Sequence, residues 1–165
     1  MTLTSPSKTF NLAGCQNSFV ILPGGTEREK FDRFSKRIHI SDGNTFGYIA
    51  CTAAYRDGRP WLERLLDKIR ANYRLLCDGL SDSLPNAVVS PLEGTYLAWV
   101  DLSAYFHGRD FSQILVERCK LGIDYGSLFG GARYNDFIRV NLATSSENVN
   151  EVVRRLRTIS DVRPL

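Results

Sequence analysis

Histidine is scarce in this 165-residue chain, and neither His39 nor His107 has a second ligand at metal spacing, so the sequence offers no metal site. The four cysteines, Cys15, Cys51, Cys77 and Cys119, lie far apart with no Cys-x-x-Cys pair. That excludes the usual zinc and redox-dithiol patterns and leaves free thiols in a reducing compartment. Neither sign of charge dominates: the formal net charge is +3, with Lys and Arg interleaved among Asp and Glu, which argues against a nucleic-acid partner. No apolar run approaches the length of a membrane span, and the amino end lacks the apolar core of a signal peptide. The expectation is a cytoplasmic protein with no membrane association. Repeats and low-complexity segments are missing as well. What is present, 43% hydrophobic and 24% charged residues, is enough for one compact core, or one small core with an appendage.

The pattern changes partway along the chain. Residues 1–25 read as a loop followed by one short apolar strand, Phe19-Val20-Ile21-Leu22, stopped by Pro23-Gly24-Gly25. That strand has no evident partner nearby, so its sheet is expected to come from outside the segment. Residues 27–40 predict a short amphipathic helix, and Asn44–Tyr55 a mostly apolar one closed by Asp57-Gly58. From Pro60 to about Leu84, Trp61, Leu62, Leu65, Leu66, Ile69, Tyr73, Leu76 and Leu80 recur at helical spacing, with Pro60 suited to the first turn and Pro85 ending the run. Such a helix is long enough to join two lobes. Beyond it, Val88-Val89, Tyr96–Leu102, Gly122–Tyr125 and Phe137–Ala143 read as strands, while Asp110–Cys119 and Ser146–Ile159 read as helices, the latter capped by Ser145 or Ser146. Together they predict a small α/β layer with an antiparallel or mixed sheet and helices on one face.

Two residues stand out for chemistry. Lys8 lies in Ser5-Pro6-Ser7-Lys8-Thr9-Phe10-Asn11-Leu12-Ala13-Gly14. A solvated loop lysine is the ordinary role for such a position, but the flanking hydroxyls of Ser5, Ser7 and Thr9 could donate to a phosphate, and Gly14 permits close backbone approach. A lysine that must attack a carbonyl needs to be held and partly desolvated. Arg139 lies in an alternating strand in which Ile138, Val140 and Leu142 share the face expected to be buried. Its guanidinium would project from the other face, where it could grip a carboxylate bidentately or form a structural ion pair. Gly24-Gly25 and Gly126–Gly131 lack the Lys-Ser/Thr ending of a phosphate loop and read as turns. Asn44 and Tyr48 read as capping and packing residues.

Five ordered blocks resemble one family. They are the Ser5–Gly14 run, Ala54-Tyr55-x-x-Gly58-x-x-Trp61-Leu62, Glu93-Gly94-Thr95-Tyr96-Leu97-Ala98-Trp99-Val100-Asp101, Gly126-x-x-Phe129-Gly130, and Phe137-Ile138-Arg139-Val140-Asn141-Leu142-Ala143. They are similar to the carboxy-terminal half of fold-type I enzymes that use pyridoxal 5'-phosphate (PLP), the class I/II aminotransferases, and within them to the cystathionine β-lyase-like (C–S lyase) branch. An arginine common in the wider class is replaced here by Gln16, and Pro6 stands where an apolar or small residue is usual; both features fit the lyase branch.

The resemblance implies an α/β fold. Residues 1–59 would be a remnant of the PLP-binding large domain, and residues 60–165 a connecting helix plus a small α/β domain. It implies PLP as cofactor, Lys8 as the catalytic, cofactor-carrying lysine, Ser5 and Ser7 beside the cofactor phosphate, and Arg139 on the α-carboxylate of an amino-acid substrate. The implied reaction is β-elimination of sulfur amino acids to thiol, pyruvate and ammonia in a homodimeric parent enzyme. Because the groups that hold the cofactor ring would precede residue 1, the chain alone is expected to have little activity. An aminotransferase, or a non-catalytic α/β interaction module of PLP-enzyme ancestry, are the alternatives.

Overall fold

The computed structural model describes residues 1–40, 43–106 and 111–160. Asp110, the expected start of one helix, and His107 fall outside them. The chain divides into two compact units, Met1–Arg64 and Leu65–Leu165.

In the first unit, β1 (Thr2–Thr4) pairs antiparallel with β2 (Phe19–Ile21), with Leu3 opposite Val20. This corrects the expectation that the apolar strand has no local partner. Thr2-Leu3-Thr4 is three residues long at a terminus, and its β-branched threonines favour an extended chain without producing a hydrophobic run that stands out. Between the strands lie a turn over residues 6–11 and a 3₁₀ turn, Ala13–Cys15. Two helices follow, α1 (Thr26–Arg37) and α2 (Thr45–Asp57). The Asn44 carboxamide caps α2 by accepting from the backbone N–H groups of Phe46 and Gly47, the ordinary N-cap arrangement. Gly58 breaks α2, and α3 (Arg59–Ser83) starts directly after it.

Helix α3 is 25 residues long, about 37 Å at 1.5 Å per residue. Its stripe is narrower than the sequence pattern implies: Ile69, Asn72, Leu76 and Leu80 are buried, whereas Trp61 and Leu66 remain exposed. In the second unit, β3 (Val88–Val89), β4 (Leu97–Asp101), β5 (Asp124–Tyr125) and β6 (Phe137–Asn141) form an antiparallel sheet in the order β3-β4-β6-β5. Alternation sets its faces. Ala98 and Val100 on β4 and Ile138 and Val140 on β6 are buried in one cluster with Leu76 and Leu80 of α3 and Val149, Val153 and Leu156 of α7 (Ser146–Leu156). Gly79 permits the close approach of α3 and α7, because a Cβ there would lie 2.6 Å from a methyl of Val153. Ser145, one of the two expected caps, accepts from the N–H of Asn148.

Three details depart from the sequence reading. The segment expected as one helix over 110–119 is, where described, a short helical turn α5 (Phe111–Gln113) running into a π-helical turn, Ile114–Arg118. Strand β5 covers only Asp124–Tyr125 of the expected Gly122–Tyr125, and the Gly126 N–H donates to the Phe137 carbonyl just beyond it. The sheet's other face is not bare: α6 (Ser127–Gly130), numbered after the short α4 (Ser103–Phe106), and a 3₁₀ turn at Gly131–Tyr134 lie on it. Phe129 and Tyr134 both meet Trp99 edge-on there. Among the described residues no helix is long and apolar enough to cross a membrane.

Candidate active site

Lys8 lies in the turn that leaves β1. The Phe10 N–H donates to the Pro6 carbonyl and the Leu12 N–H to the Ser7 carbonyl, so the lysine is carried by a hydrogen-bonded loop rather than a free end. Ser5 organises the turn. Its hydroxyl donates to the Asn17 carbonyl at 2.9 Å and accepts from the Ser7 N–H at 3.1 Å. The Ser7 hydroxyl lies 2.5 Å from that of Ser5. Since Ser5 has one proton and gives it to Asn17, Ser7 is the donor in that contact. The structure thus brings Ser5, Ser7 and Lys8 together, with the two hydroxyls half-buried and the lysine exposed.

The turn is braced from behind. Phe10 meets the ring of Tyr55 edge-on at 5.6 Å and lies 6.3 Å from that of Trp61. Gly58 leaves the room for it: a Cβ there would come within 2.8 Å of the Phe10 ring. The side chain of Asn17 lies against Gly47, and Asn44 donates to the Cys15 carbonyl at 3.2 Å. Thus the Ala54–Leu62 block, which the sequence matches to the family without assigning a role, buttresses the lysine turn. Gln16, the position where an arginine is common, adopts a left-handed conformation at the end of the 3₁₀ turn.

The second unit holds Arg139. As the alternation predicts, Ile138 and Val140 are buried, and Arg139 emerges on the opposite face beside Trp99, its cross-strand partner on β4. The guanidinium is not unpartnered. Its Nε and Nη2 donate to Oδ2 of Asp124 at 3.1 and 2.6 Å, and its carbon lies 4.2 Å from the centroid of the Phe129 ring. Of the two roles the sequence leaves open, the structural ion pair is therefore formed, and one edge of the fork remains for a further acceptor.

Two contributors were missed by sequence reasoning. Asp124 had no signal beyond its place in a short strand. Asn72, fully buried within the apolar stripe of α3, donates to the carbonyls of Leu142 and Thr144, both at 2.9 Å, and accepts from the Ser146 hydroxyl. It thereby fixes the chain where it leaves β6. A polar residue interrupting a helical stripe was the available clue.

The first unit carries Lys8 on the same turn as the Ser5 and Ser7 hydroxyls, and the second carries an arginine on a late strand of a small α/β layer. The fold is that of PLP-transferases, of which the chain matches a part. The profile of aminotransferase class I and II matches residues 1–156, and the chain belongs to that family, whose members are PLP-dependent aminotransferases and lyases. It is 32% identical over 158 residues to cystathionine β-lyase PatB of Bacillus subtilis, covering 95% of this chain and 41% of that protein. Among solved structures it is similar to cystalysin of Treponema denticola, which contains pyridoxal 5'-phosphate (TM-score 0.89, 30% identity, 98% of this chain and 41% of the other). It is also similar to the PLP-bound C–S lyase of Staphylococcus hominis (TM-score 0.85, 27% identity, 95% and 40%). The chain spans about two fifths of the length of these proteins.

Proposed function

We infer that the chain is the carboxy-terminal part of a PLP-dependent C–S β-lyase, which eliminates a thiol from a sulfur amino acid such as cystathionine and leaves pyruvate and ammonia. The observation that carries this reading is the Lys8 turn, a hydrogen-bonded loop that also carries the Ser5 and Ser7 hydroxyls, in a chain similar over 95% of its length to a cystathionine β-lyase. Lys8 would carry the cofactor aldehyde, Ser5 and Ser7 would lie beside its phosphate, with Ser7 turning its proton from Ser5 to it, and Arg139 would take the substrate's α-carboxylate. Residues 1–59 would belong to the large, cofactor-binding domain, and residues 60–165 to the connecting helix and small domain. A cytoplasmic homodimer completes the reading. Exposed apolar side chains of the first unit, such as Phe46 and Ile49, support a surface that further protein covers.

Bound PLP supplies an aldehyde that captures the substrate amine and a conjugated ring that delocalises the electron pair left at Cα. The chain's own residues do the rest of what can be assigned to it. Arg139 fixes the substrate through a charge-assisted pair with its carboxylate. Lys8, as the free amine, takes the Cα proton at Nζ. When the C–S bond breaks, sulfur leaves with the bonding electrons and needs a proton, and the Lys8 ammonium is the group able to return it.

The test is product analysis on a complete polypeptide, with this chain joined behind the part of PatB that the match leaves uncovered. Incubation with PLP and L-cystathionine should release pyruvate and thiol, and Lys8→Ala should lower the rate at least about a hundredfold, in line with loss of a positioned acid–base group. Formation of the full-length keto acid without pyruvate would make it an aminotransferase instead. A folded chimera that yields neither product would support the non-catalytic reading.

A further inference from the structure

Arg139 meets a carboxylate inside its own chain. Asp124 and Arg139 are directly opposed on β5 and β6, and both donors on the side-on edge of the guanidinium, Nε and Nη2, go to the single oxygen Oδ2 of Asp124. Phe129 covers one face of the fork. What remains is the end-on edge, Nη1 with the second proton of Nη2, which can still take one carboxylate bidentately. A ligand arriving there becomes the second carboxylate on that guanidinium. The surroundings make this matter. The two residues line an open groove of about 640 Å³ whose other lining residues are apolar or neutral, including Asn141, Thr144 and Asn148. With Asp124 ionised the groove therefore has no net charge; without it the groove would carry +1.

We propose that Asp124 is a specificity-determining residue: it sets the charge class of ligand that Arg139 accepts, favouring amino acids with no net charge over net-anionic acids. A zwitterion with one unit of each charge gives up little in a neutral groove, because its own ammonium offsets its carboxylate. A ligand with an additional carboxylate meets Asp124 with no free positive charge to balance it. The inference rests on the reading of Arg139 as a carboxylate clamp and deepens it by naming the class of amino acid. Both side chains keep partial contact with solvent, so the discrimination is a matter of several-fold rather than orders of magnitude.

The test uses the whole 165-residue chain labelled with ¹⁵N-arginine, with the Nε–H resonance of Arg139 assigned by its loss in Arg139→Lys. At fixed ionic strength the chain is titrated separately with S-methyl-L-cysteine, which has no net charge, and with L-glutamate, which is net-anionic. The wild-type resonance should respond at lower concentrations of S-methyl-L-cysteine. In Asp124→Asn, which keeps the shape and removes the charge, the ratio of the two apparent affinities should shift toward glutamate by about threefold to tenfold. Asp124→Ser should shift it the same way and decides the matter if the Asn variant does not fold. A ratio within twofold of wild type in a folded, charge-free variant overturns the role of Asp124 while leaving Arg139 as a carboxylate site. No response of the wild-type resonance to either amino acid overturns the reading of Arg139 itself, and the inference with it.

Discussion

The two units bury their apolar side chains to very different degrees. In the second, β4 and β6 alternate cleanly, and the inward residues meet α3 and α7 in a single cluster in which Leu76, Leu80, Val100, Ile138, Leu142 and Leu156 are almost completely buried. In the first, among the described residues only Pro6, Ser35, Gly47 and Cys51 are buried, while Ile21, Phe34, Phe46 and Ile49 are exposed, Phe46 to 79%. The strand carrying Arg139 is thus positioned by a core that its own unit completes. The turn carrying Lys8 is positioned by local hydrogen bonds and a few aromatic contacts, on a unit whose large apolar side chains are mostly exposed. Arg139 is thus held by a packed core and Lys8 by a local network, each within its own unit.

Substitutions can sharpen or break this contrast, and urea unfolding of the whole chain measures them on one scale. Leu80→Ala removes a fully buried side chain from the second unit's core and should cost about 3 kcal/mol. Ile49→Ala on the exposed face of α2 should cost less than about 0.5 kcal/mol. Equal losses at the two positions would remove the contrast. Next comes Asn72→Ala, which strands the carbonyls of Leu142 and Thr144 without their donor and should cost about 2 kcal/mol, with amide shifts confined to the second unit. Gly126→Ala would drive a Cβ against the Tyr134 carbonyl and the Phe137 side chain, for an expected loss of about 1 to 2 kcal/mol.

The smallest effect is a pH dependence. Hydrogen bonds from Arg154 and Arg155 hold the Glu151 carboxyl down at about 2. A carboxyl depressed in the folded state adds stability above its unfolded value near 4.3, and that stability fades as the pH falls from there toward about 2. The second unit should therefore lose some stability between pH 5 and pH 2, and Glu151→Gln should flatten that limb slightly, since the groups are exposed.

Much of this was legible in the sequence, for physical reasons that also explain the rest. The period of α3, the alternation of β6 and the cap at Ser145 are local patterns, and each appears in the structure. Arg139 could be placed on the outer face of its strand because side chains alternate, but its partner Asp124 could not be read, because cross-strand register is a tertiary property. Strand β1 was missed because three residues carry too little pattern. The exposed positions of Trp61 and Leu66 show the same limit from the other side, since periodicity reports which residues could be covered and not which ones the unit covers. The likeness of the Lys8 segment to a cofactor-lysine motif came from residue identity, while its bracing by Phe10, Tyr55 and Gly58 required the fold.

The central claim is that Lys8 is the amine shaped to hold the cofactor aldehyde. Borohydride reduction of the PLP-loaded chimera, followed by peptide mapping, addresses it directly. The account predicts that the reduced label falls on Lys8, with Lys30 and Lys36 on α1 essentially unlabelled; label on Lys8 no greater than on those two exposed lysines would contradict it.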